Sequence, residues 1–271
     1  MIYLDDKKIE VGKFPDGTIL IKEDVKKDFN SLRDIRISWF FESNEEFVTL
    51  IYITRHLQEH GIKNIHLYMP YIPNARQDRV KTDEDVFTLK YFAEIINWLN
   101  FTSVTVVDPH SAVSEALINR VNVITPSQKI KAVIEKIKSL HNNENADSLM
   151  MFYPDEGAMK RYSDASEMKY AFGIKRRNWK TGKIEGLDVS GCVDEIKDKR
   201  ILIVDDICSR GGTFYHSAKK LKELGAREIY LYVTHCENTV LEGELLTSGL
   251  IEKIFTTNSI FTKTNEKIEV L

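Results

Sequence analysis

Along the chain, short apolar runs alternate with longer stretches in which apolar positions recur every third or fourth residue. From about residue 47 onward this reads as strands alternating with helices. Ile65–Tyr71 (IHLYMPY) predicts a buried strand, followed by a charged loop and a helix near Phe87–Leu99. Val104–Val107 and Val121–Ile124 predict two further strands. Thr125-Pro126-Ser127 opens a helix, with proline suited to the first turn. Ile130, Val133, Ile134, Ile137 and Leu140 share one face of it. The polar stretch HNNENADS (141–148) breaks the pattern and predicts two domains, over residues 1–145 and 146–271.

The second half repeats the alternation. Leu149–Tyr153 predicts a strand, Gly157–Tyr170 a helix and Arg200–Val204 a strictly apolar strand. Thr213–Leu224 predicts a helix stopped by Gly225. Glu228–Thr234 is another strand, then comes a helix ending by Gly249, then a strand at Ile251–Thr256. Such alternation predicts an α/β protein with parallel sheets covered by helices on both faces. The first 45 residues predict hairpins and loops instead.

Composition narrows the classes. With 38 basic and 41 acidic side chains the net charge is −3, which argues against a general nucleic-acid binder. Cys192, Cys208 and Cys236 lie far apart without metal-ligand spacing, as expected of reduced thiols in the cytosol. The charged N-terminus lacks a signal-peptide core, and no apolar run approaches the roughly 20 residues that span a bilayer. The expectation is a cytoplasmic protein with no membrane partner.

The sharpest chemical signal is Ile201–Thr213 (ILIVDDICSRGGT). An apolar strand ends in Asp205 and Asp206, a loop carries Gly211 and Gly212, and a helix starts near Thr213. Ligands of open α/β sheets bind beyond the carboxyl ends of strands. Backbone N–H groups at the next helix start can cradle a phosphate, and two carboxylates before it can accept from the cis hydroxyls of a ribose. An ordinary strand–turn–helix junction with solvated aspartates has the same appearance, so this segment alone leaves both readings open.

Five further segments resemble one family. Ile201–Thr213 is similar to the ribose-phosphate loop of phosphoribosyltransferases and ribose-phosphate diphosphokinases. Pro70–Arg79 (PYIPNARQDR), Val107–His110 (VDPH), Tyr153–Arg161 (YPDEGAMKR), Gly173–Arg177 (GIKRR) and Phe14–Gly17 (FPDG) are similar, in order, to diphosphokinase motifs. The chain therefore resembles the ribose-phosphate diphosphokinase family from residue 14 to about 260. The resemblance implies two phosphoribosyltransferase-type domains. It also implies transfer of the β,γ-diphosphate of ATP to the C1 hydroxyl of ribose 5-phosphate, with Mg2+.

The same resemblance implies roles. Lys175 and Arg177, on a mobile loop, are the expected catalytic pair. Phe14, Asp16, Arg76, Gln77, Asp78 and His110 are expected to bind ATP, with Asp78 holding Arg76 or the nucleotide. Asp205, Asp206, Ser209, Arg210, Gly211, Gly212 and Thr213 are expected to bind the ribose phosphate, and His110 and Asp155 the metal. Asp155 is also expected at the sugar hydroxyls. A homo-oligomer, dimer or hexamer, is implied. The basic KRRNWK stretch with Trp179 also has the make-up of a nucleic-acid patch, but its neighbours place it beside an active site.

Some positions depart from the family pattern. Thr18 stands where the FxDGE element carries glutamate, Ala158 replaces a glycine, and the chain is shorter than usual members. Arg210 stands at a usual threonine, and its planar, fixed charge suits a phosphate or a larger 5′ group. ADP-ribose is thus an alternative acceptor. A phosphoribosyltransferase or a non-catalytic regulatory homologue would share the ribose loop without needing the ARQDR and VDPH segments.

Overall fold

A computed structural model describes residues 1–24, 34–141, 148–177 and 184–271. It divides into two compact units, Met1–Ile124 and Thr125–Leu271. The division lies ahead of the expected boundary at 145/146. Helix α4 (Ser127–Leu140) belongs to the second unit because its Ile130, Val133, Ile134 and Ile137 pack against Leu149, Met151 and Tyr153. The polar stretch after α4 is a connection inside that unit, and residues 142–147 lie outside the described ones.

In the first unit β1 (Ile2–Leu4), β2 (Lys7–Lys8), β5 (Ile35–Trp39), β6 (Ile65–Tyr68), β7 (Ser103–Val107) and β8 (Val121–Ile124) form one sheet. The order is β2-β1-β5-β6-β7-β8. The last four run parallel, while β1 and β2 add antiparallel edges. β3 (Val11–Lys13) and β4 (Ile19–Ile21) make a separate hairpin. Helices α1 (Asn44–Glu59), α2 (Thr88–Trp98) and α3 (Ala112–Leu117) connect the parallel strands. The expectation of only hairpins before residue 45 misses β5, the first parallel strand. Its five residues, IRISW, do alternate apolar and polar, and they are held by ladder bonds to β6 and by Trp39 stacking on Phe47 at 5.8 Å.

The second unit has strands β9 (Leu149–Tyr153), β10 (Tyr170–Arg177), β11 (Ile184–Gly191), β12 (Arg200–Cys208), β13 (Glu228–Cys236), β14 (Lys253–Thr256) and β15 (Ile268–Val270). Their order is β11-β10-β9-β12-β13-β14-β15, parallel except for the β10–β11 pair. Side chains alternate between the faces of a strand. Here both faces are apolar. Ile201, Ile203, Ile229 and Leu231 join α6 (Gly212–Glu223) through Phe214 and Leu221, while Leu202, Val204, Tyr230 and Tyr232 join α4 and α5 (Glu156–Tyr162). Burial on both sides is why these strands read as continuous apolar runs.

Two expected helices are corrected. The one over Gly157–Tyr170 ends at Tyr162 and gives way to a 3-10 turn at Ser163–Ala165 and then β10. There the Ser166 hydroxyl accepts from the Met168 amide, an alternative to helical bonding. The helix ending by Gly249 is only a 3-10 turn, Asn238–Glu242, and the Thr247 and Ser248 hydroxyls bond the Glu244 and Leu245 carbonyls. By contrast α6 ends as expected, followed by Gly225 at φ +89°. No helix among the described residues is long and apolar enough to cross a membrane.

Leu202 is fully buried at the centre of the second sheet. Leu202→Ala is expected to cost about 2–5 kcal/mol of unfolding free energy in urea denaturation, whereas a surface site such as Lys219→Ala should change it by less than about 0.5 kcal/mol.

Candidate active site

The carboxyl end of the second sheet gathers one set of motif residues. Asp205 and Asp206 lie within β12 rather than after it, so the strand carries carboxyl groups past its apolar core. Asp205 Oδ1 accepts from the Asp206 amide at 2.9 Å, and Asp206 is only 6% exposed. Burial, the Asp206 charge and the Asp155 charge together push the Asp205 carboxyl well above the usual carboxylate range. Asp155 follows β9 and caps α5, its Oδ1 accepting from the Ala158 amide at 3.1 Å. Ser209 to Thr213 then lead from β12 into α6. Arg210 reaches outward, its Nη2 lying 3.3 Å from Glu242 Oε2.

The backbone of Lys175 and Arg177 lies in β10, paired with Leu187 and Ile184 across an irregularity at Arg176/Arg177. A loop was expected over Gly173–Arg177. The segment instead completes an eight-residue strand because β11 returns antiparallel beside it. The side chains of Lys175 and Arg177, and residues 178–183 with Trp179, lie outside the described ones.

In the first unit the carboxyl ends of neighbouring β6 and β7 bring two motifs together. Asp78 pairs with Arg79, at 2.7 Å and 3.0 Å, and also accepts from the Ser111 hydroxyl just after His110. The Arg79 bond, helped by Ser111 and opposed by burial, brings the Asp78 carboxyl down to about 2. Gln77 accepts from the Thr88 hydroxyl at 2.8 Å. Arg76 and His110 are exposed on these loops. Phe14 and Asp16 sit apart on the β3–β4 hairpin. Phe14 is 49% exposed, and Asp16 accepts from the Thr18 amide and hydroxyl, which lowers its pKa. Thr18 thus serves the hairpin turn instead of offering the carboxylate of the family pattern. Arg79 and Ser111 were missed as organisers. The only signal for Ser111 was its type and place at a helix start, where it caps α3.

Size alone does not find these places. A cavity of about 910 Å³ in the first unit is lined by Lys7, Ile21, Tyr52 and His56 among others, and holds none of the motif residues. No group of three or more metal-ligating side chains occurs among the described residues. The Asp205 carboxyl, repelled by both Asp206 and Asp155, does fit a hard cation that brings most of its oxygen ligands with it.

No family model matches the chain. Curated relatives do, over most of its length. It is 26% identical over 258 residues to a ribose-phosphate pyrophosphokinase of Thermococcus kodakarensis, covering 93% of this chain and 86% of that protein. Against the Bacillus subtilis protein of the same name, identity is 27% over 232 residues, covering 83% and 69%. Among solved structures, the phosphoribosylpyrophosphate synthetase of Mycobacterium smegmatis superposes with a TM-score of 0.76 at 20% identity, covering 97% of this chain and 85% of that one. The fold is therefore the two-domain phosphoribosyltransferase type. Within that class, the chain is similar over most of its length to ribose-phosphate diphosphokinases.

Two outcomes follow from the carboxylates. Because the folded pKa of Asp205 is raised, its contribution to stability is present below the unfolded value and lost as pH rises through the folded one. Asp205→Asn is thus expected to raise Tm at pH 7.5 in a calorimetric scan; a lower Tm would contradict the buried repulsion. Asp78 has the opposite sign, with stability present above the unfolded value near pH 4 and lost as pH falls toward about 2. The stability gap between the natural chain and Asp78→Asn should accordingly narrow between pH 4 and pH 2 in urea titrations.

Proposed function

We propose that this protein is an ATP-dependent diphosphokinase that converts ribose 5-phosphate to phosphoribosyl diphosphate and AMP. The observation that carries the reading is the β12 end, where the half-buried Asp205 and the buried Asp206 run directly into a glycine-bearing turn and a helix start. Asp205 and Asp206 accept from the ribose hydroxyls, joined by Asp155. The backbone from Ser209 to Thr213, with the Arg210 side chain, takes the 5-phosphate. These roles use the desolvated negative charge at Asp205, which hydroxyl donors relieve.

In the transfer the C1 oxygen of the sugar bonds to the β-phosphorus. The bond from that phosphorus to the oxygen bridging the α- and β-phosphates breaks, AMP leaves, and the C1 hydroxyl proton passes to solvent. Such chemistry depends mostly on alignment and charge neutralisation. Lys175 and Arg177 supply positive charge where the transferred group becomes more negative. Arg76 and Gln77 grip the ATP phosphates, on a loop that Asp78 orders through Arg79 and Ser111. Phe14 and Asp16 contribute on the adenine side and His110 on the phosphate side. His110 in the first unit and Asp155 in the second are each suited to a divalent cation such as Mg2+, which would neutralise phosphate charge. The same reading makes the protein a cytoplasmic homo-oligomer.

Relatives that match over most of the chain are diphosphokinases, which leaves the transferase, ADP-ribose and non-catalytic readings without comparable support. Incubation with ATP, Mg2+ and ribose 5-phosphate, followed by mass spectrometry, should show AMP and phosphoribosyl diphosphate in equal amounts. Lys175→Ala/Arg177→Ala should lower kcat by at least about 100-fold with an unchanged circular-dichroism spectrum. Absence of AMP with the natural chain, or full activity of the double variant, would sink the reading.

A further inference from the structure

The turn that leads from β12 into α6 does not hold its own shape. Gly211 has φ +80°, a region costly for side chains, and a Cβ there would lie 2.8 Å and 2.9 Å from Leu245 Cδ2 and Cβ. A second contact comes from Gly243. A Cβ on Gly243 would stand 2.8 Å from the carbonyl carbon of Arg210 and overlap its carbonyl oxygen, so only glycine lets the two backbones pass. A third is the Glu237 amide, which donates to the Cys208 carbonyl at 2.8 Å. The fourth is the Glu242 carboxylate, 3.3 Å from the Arg210 guanidinium, with both side chains more than half exposed. Four contacts from one stretch of nine residues, Glu237 to Leu245, thus meet three of the four residues from Cys208 to Gly211.

We infer that the stretch from Glu237 to Leu245 is the mould of the phosphate turn, with Gly243 a positioning residue and Glu242 a specificity residue for the acceptor's terminal phosphate. The inference rests on the ribose 5-phosphate reading above. Gly243 acts through the Arg210 carbonyl. Moving that carbonyl rotates the peptide that bears the Gly211 amide, and the amide directions of the turn move with it. Glu242 acts through charge. It holds the Arg210 guanidinium at the rim of the turn, and an incoming phosphate dianion must compete with the carboxylate for the same donors. An exposed ion pair is weak, so the exchange toward a doubly charged phosphate is favourable. Glu242 then works as a filter that weakens singly charged or neutral 5′ groups more than a terminal phosphate.

Isothermal titration of the full chain with Mg2+ and ribose 5-phosphate reads both residues without turnover. Glu242→Gln keeps shape at an exposed site and is expected to tighten binding by about 3-fold at low salt, since exposed pairs are worth under about 1 kcal/mol. The gain should shrink in 0.5 M salt and vanish when Arg210→Gln is added. Gly243→Ala should weaken ribose 5-phosphate binding by at least about 10-fold while the KM for ATP stays within about 2-fold. An unchanged dissociation constant in Glu242→Gln, or in a folded Gly243→Ala chain, overturns the inference. If Gly243→Ala does not fold, Glu242→Gln with its Arg210 double variant decides the matter. A natural chain that binds no ribose 5-phosphate overturns the functional reading itself, a result distinct from the other two.

Discussion

The chemistry of the second unit hangs on a single constraint: β12 is buried on both faces and must still deliver two carboxyl groups at its end. Its first five residues, Arg200 to Val204, are all buried, and Ile201 and Ile203 face one core while Leu202 and Val204 face the other. A strand clamped this way cannot slip by one residue without driving every side chain to the wrong face. The position of Asp205 and Asp206 is therefore set by packing several residues away. The entry to the strand is pinned as well. Arg200, 2% exposed, bonds Glu228 at 3.1 Å across the register pair, and Tyr230 donates to the same carboxylate at 3.0 Å. A buried pair of this kind is better evidence for register than for net stability.

The cost of that delivery appears at Asp205. Its charge is disfavoured by burial, by Asp206 and by Asp155, a strain that the rest of the sheet must carry. A hydroxyl donor or a cation placed there would relieve that charge, which is the chemistry the proposed ribose role calls on. The first unit solves a related problem differently. Its loops after β6 and β7 are tied by Asp78, Arg79 and Ser111, so exposed groups such as Arg76 and His110 stand on an ordered base. One unit thus stores unfavourable charge at a strand end, and the other spends favourable charge on ordering loops.

Much of this was legible in the residue pattern, for identifiable reasons. The parallel strands β9, β12 and β13 read clearly because burial on both faces writes an unbroken apolar run. Helix α6 read clearly because its glycine stop is local. What misled was equally physical. The expected helices over Gly157–Tyr170 and up to Gly249 stop short, at Tyr162 and Glu242, ahead of serine and threonine hydroxyls at 166, 247 and 248 that bond nearby backbone, and apolar spacing cannot register that competition. β5 carries a two-residue alternation over only five positions and was passed over, and the β10–β11 pair depends on a partner strand rather than on its own residues.

The sequence by itself determined the α/β alternation, the ordered set of motifs and the chemistry that those residue types can perform, since each depends on neighbours within a few positions. Tertiary structure alone decided which groups face one another. That Asp78 is reached by Ser111, that Asp205 feels Asp155 from beyond β9, and that Gly243 and Leu245 shape the turn at Arg210 and Gly211 all join residues more than 30 positions apart. Such contacts exist only after two buried faces have fixed the strands, so no local pattern could carry them.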